Sequence, residues 1–160
     1  MRAGKRGDGL NKNGYLLDTD VLIAFLQGKN PEIKANIKKF LDQDIPVYMS
    51  LISLGELCLG AFKSENPPKN LFLVNMLKNE VDLLDLTEDT VMLYGEIEAV
   101  LEKAGQVIGD FDMLIACTAI ARKLTLISGN ERERHFQRII TLFGQLDFEQ
   151  WDVNCPVKRR

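Results

Sequence analysis

A single histidine, His135, serves the whole chain, so any site built on two imidazoles is excluded. No Ser or Cys stands near it in a supporting motif, which leaves a nucleophilic triad without a basis. The three cysteines, Cys58, Cys117 and Cys155, are odd in number and form no Cys-x-x-Cys pair. Neither a disulfide framework nor a zinc site follows, and Cys58 and Cys117 sit in apolar helical segments where free Cys packs as a small hydrophobe. Long apolar runs are also missing: none reaches the roughly 18 residues that a membrane span needs. The opening MRAGKRGDGLNKNG is basic and Gly-rich but has no apolar segment behind it, so it is not a secretory signal. Excess positive charge is absent too, and a net charge of -3 argues against a protein that coats nucleic acid non-specifically. A local basic patch is the remaining route to such a ligand. These exclusions leave a soluble, cytoplasmic protein.

At 160 residues the chain has the size of one ordinary domain. Residues 1–14 read as a disordered arm, 15–152 as a single domain and 153–160 as a C-terminal tail. Tyr15 to Leu17 reads as a buried strand ending at Asp18, followed by a helix that stops near Gly28. Asn30-Pro31 opens a second helix, since Asn caps well and Pro suits the first turn. PVYMS (46–50) is a strand, LISLGELCLGAF (51–62) a helix, and PPKNLFLVNMLKNE (67–80) another helix. VDLLDL (81–86) is a strand, and the helix behind it runs from about Thr87 to Ala104 with Gly105 past its end. GDFDMLIACTAIARK (109–123) is a helix with acids at its start and cations at its end. LTLIS (124–128) is a strand, ERERHFQRI a mobile or helical connection, and the last strand is expected within IITLFG (139–144). Strands that are near-continuous apolar runs, alternating with helices, indicate an α/β fold: a three-layer α/β/α sandwich with a central parallel sheet. In such sheets, sites form outside the carboxyl ends of the strands, which is where Asp18 and Ser128 fall.

The acids carry the functional signal. Within YLLDTDVLIAFL (15–26) only Asp18, Thr19 and Asp20 are polar. An ionised carboxylate in such surroundings requires a cation, hydrogen-bond donors or a metal. Asp20 reads either as the cap of a helix beginning at Val21 or as a member of a site, whereas Asp18, directly behind three apolar residues, is harder to read as structural. Glu56 shares its helical face with Ser53 and Gly60. Its helix is so apolar all round that burial of most of it is expected, the alternative being a Glu on a solvated face. Asp110 and Asp112 stand in the first turn of their helix, where one acid would serve as cap or first-turn anion; two exceed what capping needs. Asp82 and Asp85 read as ordinary strand acids. If Asp18, Glu56 and Asp112 converge, each pair about 5 Å apart repels by roughly 3 kcal/mol at an effective dielectric near 20. A divalent cation removes that penalty, and an oxygen-only ligand set selects hard ions, Mg²⁺ or Mn²⁺. Phosphodiester cleavage is a natural use of such a site.

In this order the residues resemble the PIN-domain nuclease family, and particularly its small VapC-type toxins. The matching stretches are LLDTDVLI (16–23), YMSLISLGELCLGA (48–61), VIGDFDMLIACTAIARKLTLISGN (107–130) and Trp151, so the resemblance spans about 15–152. It implies a parallel α/β/α nuclease domain and a Mg²⁺- or Mn²⁺-dependent endoribonuclease acting on RNA. By the same resemblance Asp18, Glu56 and Asp112 are the catalytic metal ligands, and Asn130 holds the fourth position with Ser128 in support. Its implied partners are a VapB-like antitoxin and a second copy of the chain. Two departures stand out. Asp20 occupies a place where the family commonly has Asn or Ser, and ERERHF is about two residues longer than usual. Asp110 is extra to the minimal pattern and reads as a second-metal ligand or a supporting acid. Arg132, Arg134 and Arg138 are the candidate phosphate contacts, the alternative being a solvated surface loop. Two other readings stay open: a haloacid-dehalogenase-like phosphatase using Asp18 and Asp20, and a PIN-like domain that binds without catalysis.

Overall fold

Tyr15–Leu17 forms the strand β1, whose three residues are all buried, and the rest of the sheet is laid down on either side of it. The computed structural model describes residues 13–129 and 135–154. Apart from positions 13–14 and 153–154, the expected arm and tail lie outside the described residues, as do Cys155, Asn130, Arg132 and Arg134. After β1 the chain runs through α1 (Thr19–Gln27), α2 (Pro31–Asp42), β2 (Val47–Ser50), α3 (Leu51–Phe62), α4 (Pro67–Leu77) and β3 (Asp82–Leu84). It continues through α5 (Glu88–Lys103), α6 (Asp110–Arg122), β4 (Thr125–Ser128), α7 (His135–Leu142) and β5 (Asp147–Gln150). All pairings are parallel and the spatial order is β3-β2-β1-β4-β5. The chain therefore builds outward from β1 in one direction, then returns to lay β4 and β5 on its other side. The carboxyl ends of β1 and β4 mark the point where the strand order reverses, the place where open parallel sheets form their crevice.

Alternation along the strands divides the core into two layers. Tyr15, Leu17, Val47, Met49 and Ile127 face one side and pack with α1, α2 and buried residues of α3 and α4, among them Leu57, Val74 and Leu77. Leu16 and Leu126 face the other, against Ile97 and Leu101 of α5, Met113 and Ile115 of α6, and Phe136 and Ile139 of α7. This is the expected three-layer arrangement. On the first side Phe40 stacks between Tyr15, with ring centroids 4.2 Å apart, and Trp151, at 5.9 Å. Trp151 also donates its backbone N–H to the Ser128 carbonyl at 3.0 Å, which seats the chain end beside the outlet of β4.

Three expectations are corrected. Residues 139–144 are not a strand: 135–142 form α7, and Gly144, at φ 78°, lies in the turn beyond it. Phe136, Ile139, Ile140 and Phe143 recur at helical spacing and all pack into the second core layer, so the short apolar run IITLF is one face of a helix. The last strand is DFEQ (147–150), an edge strand too short and polar for apolar patterning to reveal. Secondly, α3 is not mostly buried. Ser53, Leu57 and Ala61 are buried at successive turns, while Leu51, Leu59 and Phe62 are exposed, because only one stripe of this helix meets the sheet and α4. Thirdly, α1 begins at Thr19 with Asp18 as its cap, so Asp20 lies inside the first turn and caps nothing.

Entry into β1 depends on Gly14. At φ 106° it adopts a conformation closed to L side chains, and a Cβ there would lie 2.4 Å from the Pro46 carbonyl oxygen. Gly14→Ala is expected to lower the free energy of unfolding in urea by about 1–3 kcal/mol, or more if the Pro46 contact cannot relax. Gly28→Ala, at φ 63° with open space around its Cβ, should cost less. Equal losses at the two positions would mean that the close approach to Pro46 contributes nothing.

Candidate active site

The site begins with the end of β1. Asp18 is 6% exposed, and its backbone N–H still donates to Ile127 of β4 at 2.8 Å as the chain leaves the sheet. Its side chain caps α1: one carboxylate oxygen accepts from the Thr19 N–H at 2.7 Å, and the other from the Ser128 hydroxyl at 2.7 Å. The ends of the two central strands are thus joined through a buried carboxylate. Burial, and next the negative charge of Asp20, push the Asp18 carboxyl up to about 7; the two hydrogen bonds only partly offset this.

Asp20, one turn position further on, accepts the Gly129 N–H with both oxygens at 3.2 and 3.1 Å. It therefore fixes the turn that leaves β4. Its carboxyl is also raised by burial, opposed by the amides of Gly129 and Val21 and raised further by the charge of Asp112. The chain is tight here, since a Cβ on Gly129 would come within 2.1 Å of Val153.

Glu56 reaches the same end of the sheet from α3. It is half-buried and accepts a hydrogen bond from the Thr19 hydroxyl, so the residue between the two aspartates ties α3 to α1. One turn earlier, Ser50 caps α3 through the Ser53 N–H at 2.9 Å and donates its own hydroxyl to Ser53 Oγ at 3.0 Å. Asp112 enters from the first turn of α6. Its charge acts on both Asp18 and Asp20, and its Oδ2 lies 2.5 Å from His135 Nδ1.

Four of the expected acids thus gather at the β1/β4 outlet: Asp18, Asp20, Glu56 and Asp112. Asp110 takes a different direction. It is exposed, accepts from the Tyr94 hydroxyl at 3.0 Å and bears on Glu98 of α5, while the charges that raise Asp18 come from Asp20 and Asp112. Arg138, a candidate phosphate contact, donates from Nη1 to the Val107 carbonyl at 2.8 Å. Ser128 sits at the centre, fully buried. Sequence reasoning missed Thr19 and His135 as members of this site. A lone imidazole with no nucleophile in sequence reach gives no signal, and only the docking of α7 brings it to Asp112.

Among the described residues no Lys or Arg forms an ion pair with Asp18, Asp20, Glu56 or Asp112. Nor do three of the described acidic, Cys or His side chains already form a closed ligand cluster; hydroxyls, amides and an imidazole hold the acids instead. The surplus of carboxylate oxygens without balancing cations among the described residues fits a hard divalent ion, whose charge would return Asp18 to its ionised form.

A parallel α/β/α sheet with acids at its switch point and on the two flanking helices is the arrangement of a PIN-like nuclease domain. The PIN-domain family model matches residues 15–140. The chain is similar to Ribonuclease VapC2 of Rickettsia felis, 32% identical over 138 residues that cover 86% of this chain and 98% of the relative. It is also similar to the tRNA(fMet)-specific endonuclease VapC of Shigella flexneri, 31% identical over 137 residues covering 86% and 97%. Among solved structures, VapBC2 from Rickettsia felis bound to a promoter DNA fragment superimposes with a TM-score of 0.77 and 29% identity, covering 86% of this chain and 98% of the other. The chain belongs to the PIN-domain family, among its VapC-type ribonucleases. The phosphatase reading of Asp18 and Asp20 is set aside by that membership. Nucleases of this family generally need a divalent metal ion.

The raised Asp18 carboxyl makes a pH prediction for the metal-free protein. Unfolded, the group loses its proton near 3.8; folded, it keeps it to about 7. Between those values the native state binds the extra proton, so the Asp18 contribution to stability falls as pH rises through this window and levels off above it. In chelator, the melting temperature is expected to rise as pH is lowered from 7.5 to 5.5, and Asp18→Asn should flatten that slope. An unchanged slope in the variant would assign the effect to other groups.

Proposed function

We propose that the chain is a Mg²⁺- or Mn²⁺-dependent endoribonuclease, the toxin of a VapBC-type toxin–antitoxin pair, which cleaves RNA phosphodiester bonds by hydrolysis. The observation that carries this reading is Asp18: a buried carboxylate at the β1/β4 switch point, facing the charges of Asp20 and Asp112 and lacking a basic partner among the described residues. Kinship supports the substrate and the partner. The relatives are ribonucleases, one of them specific for a tRNA, and the solved neighbour is a VapBC complex. By that kinship the chain acts on RNA, is held by a VapB-like antitoxin and pairs with a second copy of itself. No described helix is long and apolar enough to cross a membrane, and a cytoplasmic location accords with an RNA substrate.

In this reading Asp18, Glu56 and Asp112 hold the ion, and Asn130 completes the set. When bound, the ion lowers the pKa of a water and offsets charge on the leaving oxygen. Asp18 supplies the fixed point, because the Thr19 amide and the Ser128 hydroxyl define where its oxygens lie. Thr19 orients Glu56. Asp20 adds negative charge while holding the turn at Gly129, the turn from which Asn130, Arg132 and Arg134 follow. Arg132 and Arg134 are assigned to the RNA phosphates, where they would compensate the acidic surroundings. Asp110, turned to α5, has no part in holding the ion.

Asp18→Asn and Asp112→Asn are each expected to lower Mn²⁺-supported RNA cleavage by roughly a hundredfold or more, the loss of several kcal/mol of charge stabilisation. Asp18→Asn should leave the metal-free melting temperature at neutral pH unchanged or raised, because a neutral amide replaces a costly buried charge. Wild-type protein that cleaves no RNA with either ion, or variants that cleave as well as wild type, would sink the reading in favour of a non-catalytic binding domain.

A further inference from the structure

Asp112 stands on a helix start that does not fix itself. The N-cap of α6 is Gly109, which has no side chain to bond the free amides of the first turn. The Asp112 side chain is 36% exposed, and among the described residues its carboxylate has one hydrogen-bond partner, His135 Nδ1 at 2.5 Å. A carboxylate oxygen accepts and cannot donate, so the imidazole presents its Nδ1–H. Three residues along the same face of α7, Arg138 Nη1 donates to the Val107 carbonyl at 2.8 Å. Between these two polar residues, Phe136 is buried in the core shared by α5, α6 and α7, with Ile139 buried beside it. The helix α7 is therefore anchored in the core and bonds the segment Val107–Asp112 at both ends.

We propose that His135 is a positioning residue for Asp112. Resting on the reading of Asp112 as a metal ligand, this assigns α7 the task of fixing the acid-bearing turn: His135 engages Oδ2 and thereby sets the plane of the carboxylate. Arg138 steadies the approach of the loop that α6 cannot cap for itself. Donors that hold a ligating group in orientation typically contribute 10–100-fold to metal affinity or activity.

The test compares His135→Ala, His135→Asn and His135→Gln in the full chain. Mn²⁺ affinity is measured without RNA by paramagnetic resonance titration, RNA cleavage by kcat and KM, and folding by thermal melting. Asn carries its amide N–H close to the position of the imidazole Nδ1, whereas Gln carries it further out, towards that of Nε2. The Ala and Gln variants are expected to bind Mn²⁺ about 10–100-fold more weakly, with kcat reduced and KM for RNA unchanged, and the Asn variant to stay close to wild type. If Ala binds Mn²⁺ as tightly as wild type, or if Asn and Gln are equally impaired, the proposal is overturned, as it is if wild type binds no Mn²⁺. A wild type that binds Mn²⁺ but cuts no RNA would instead defeat the nuclease reading, and the affinity comparison would still decide the role of His135.

Discussion

A carboxylate shut away from water at the end of a parallel strand is the constraint on which this molecule depends. Asp18 is placed by the β-ladder itself, since its backbone is bonded to Ile127 and its side chain bridges to Ser128 on the neighbouring strand. Its position cannot relax towards solvent without loosening both strands and the start of α1. The cost of holding an acid in that place shows in a carboxyl pushed up to about 7, and the Thr19 amide and the Ser128 hydroxyl offset only part of it. A fold that maintains such a group accords with the divalent metal ion that nucleases of this family generally need.

The two aspartates of YLLDTDVLIAFL then divide their work. Asp18 is both helix cap and strand-end acid, while Asp20 turns to the Gly129 amide and secures the exit of β4. Thr19 between them reaches Glu56 on α3. Three consecutive side chains of one turn are therefore each satisfied, two by the end of β4 and one by α3, which is why this turn tolerates so much polarity in an apolar run. On the far side, Asp112 depends on α7, an element that is not sequence-adjacent to it. The site is an assembly of β1, β4, α1, α3, α6 and α7, with the parallel sheet as its common support.

Much of this was legible in the chain itself. Strands β1, β2 and β4 are largely buried and announce themselves as apolar runs, and several helices carry recognisable starts: Asn30-Pro31 for α2, Pro67 in the first turn of α4, and Thr87 at α5. What misled was local ambiguity. IITLF has the composition of a strand, and only its packing against α5 and α6 shows that its apolar residues recur at helical spacing; DFEQ has no apolar signature because it pairs along one edge alone. The uniform apolarity of LISLGELCLGAF overstated its burial, since composition cannot say how many sides of a helix the protein covers.

Within the site, residue type and chain order carried the chemical reading: a set of carboxylates with a single histidine in the chain points to a hard cation, and Asp18, Glu56 and Asp112 were singled out by their order along the chain. Tertiary structure decided direction and partnership. It separated Asp110 from Asp112, two residues apart on one helix, because successive side chains on a helix point about 100° apart and their neighbours differ. It decided between the two readings of Asp20 by making Asp18 the cap, gave Arg138 a backbone carbonyl to bond, and brought the chain's one histidine to a carboxylate 23 residues away. Residue type sets what a group can do, whereas which group meets it across a long loop depends on how elements dock, and docking is set by the whole core.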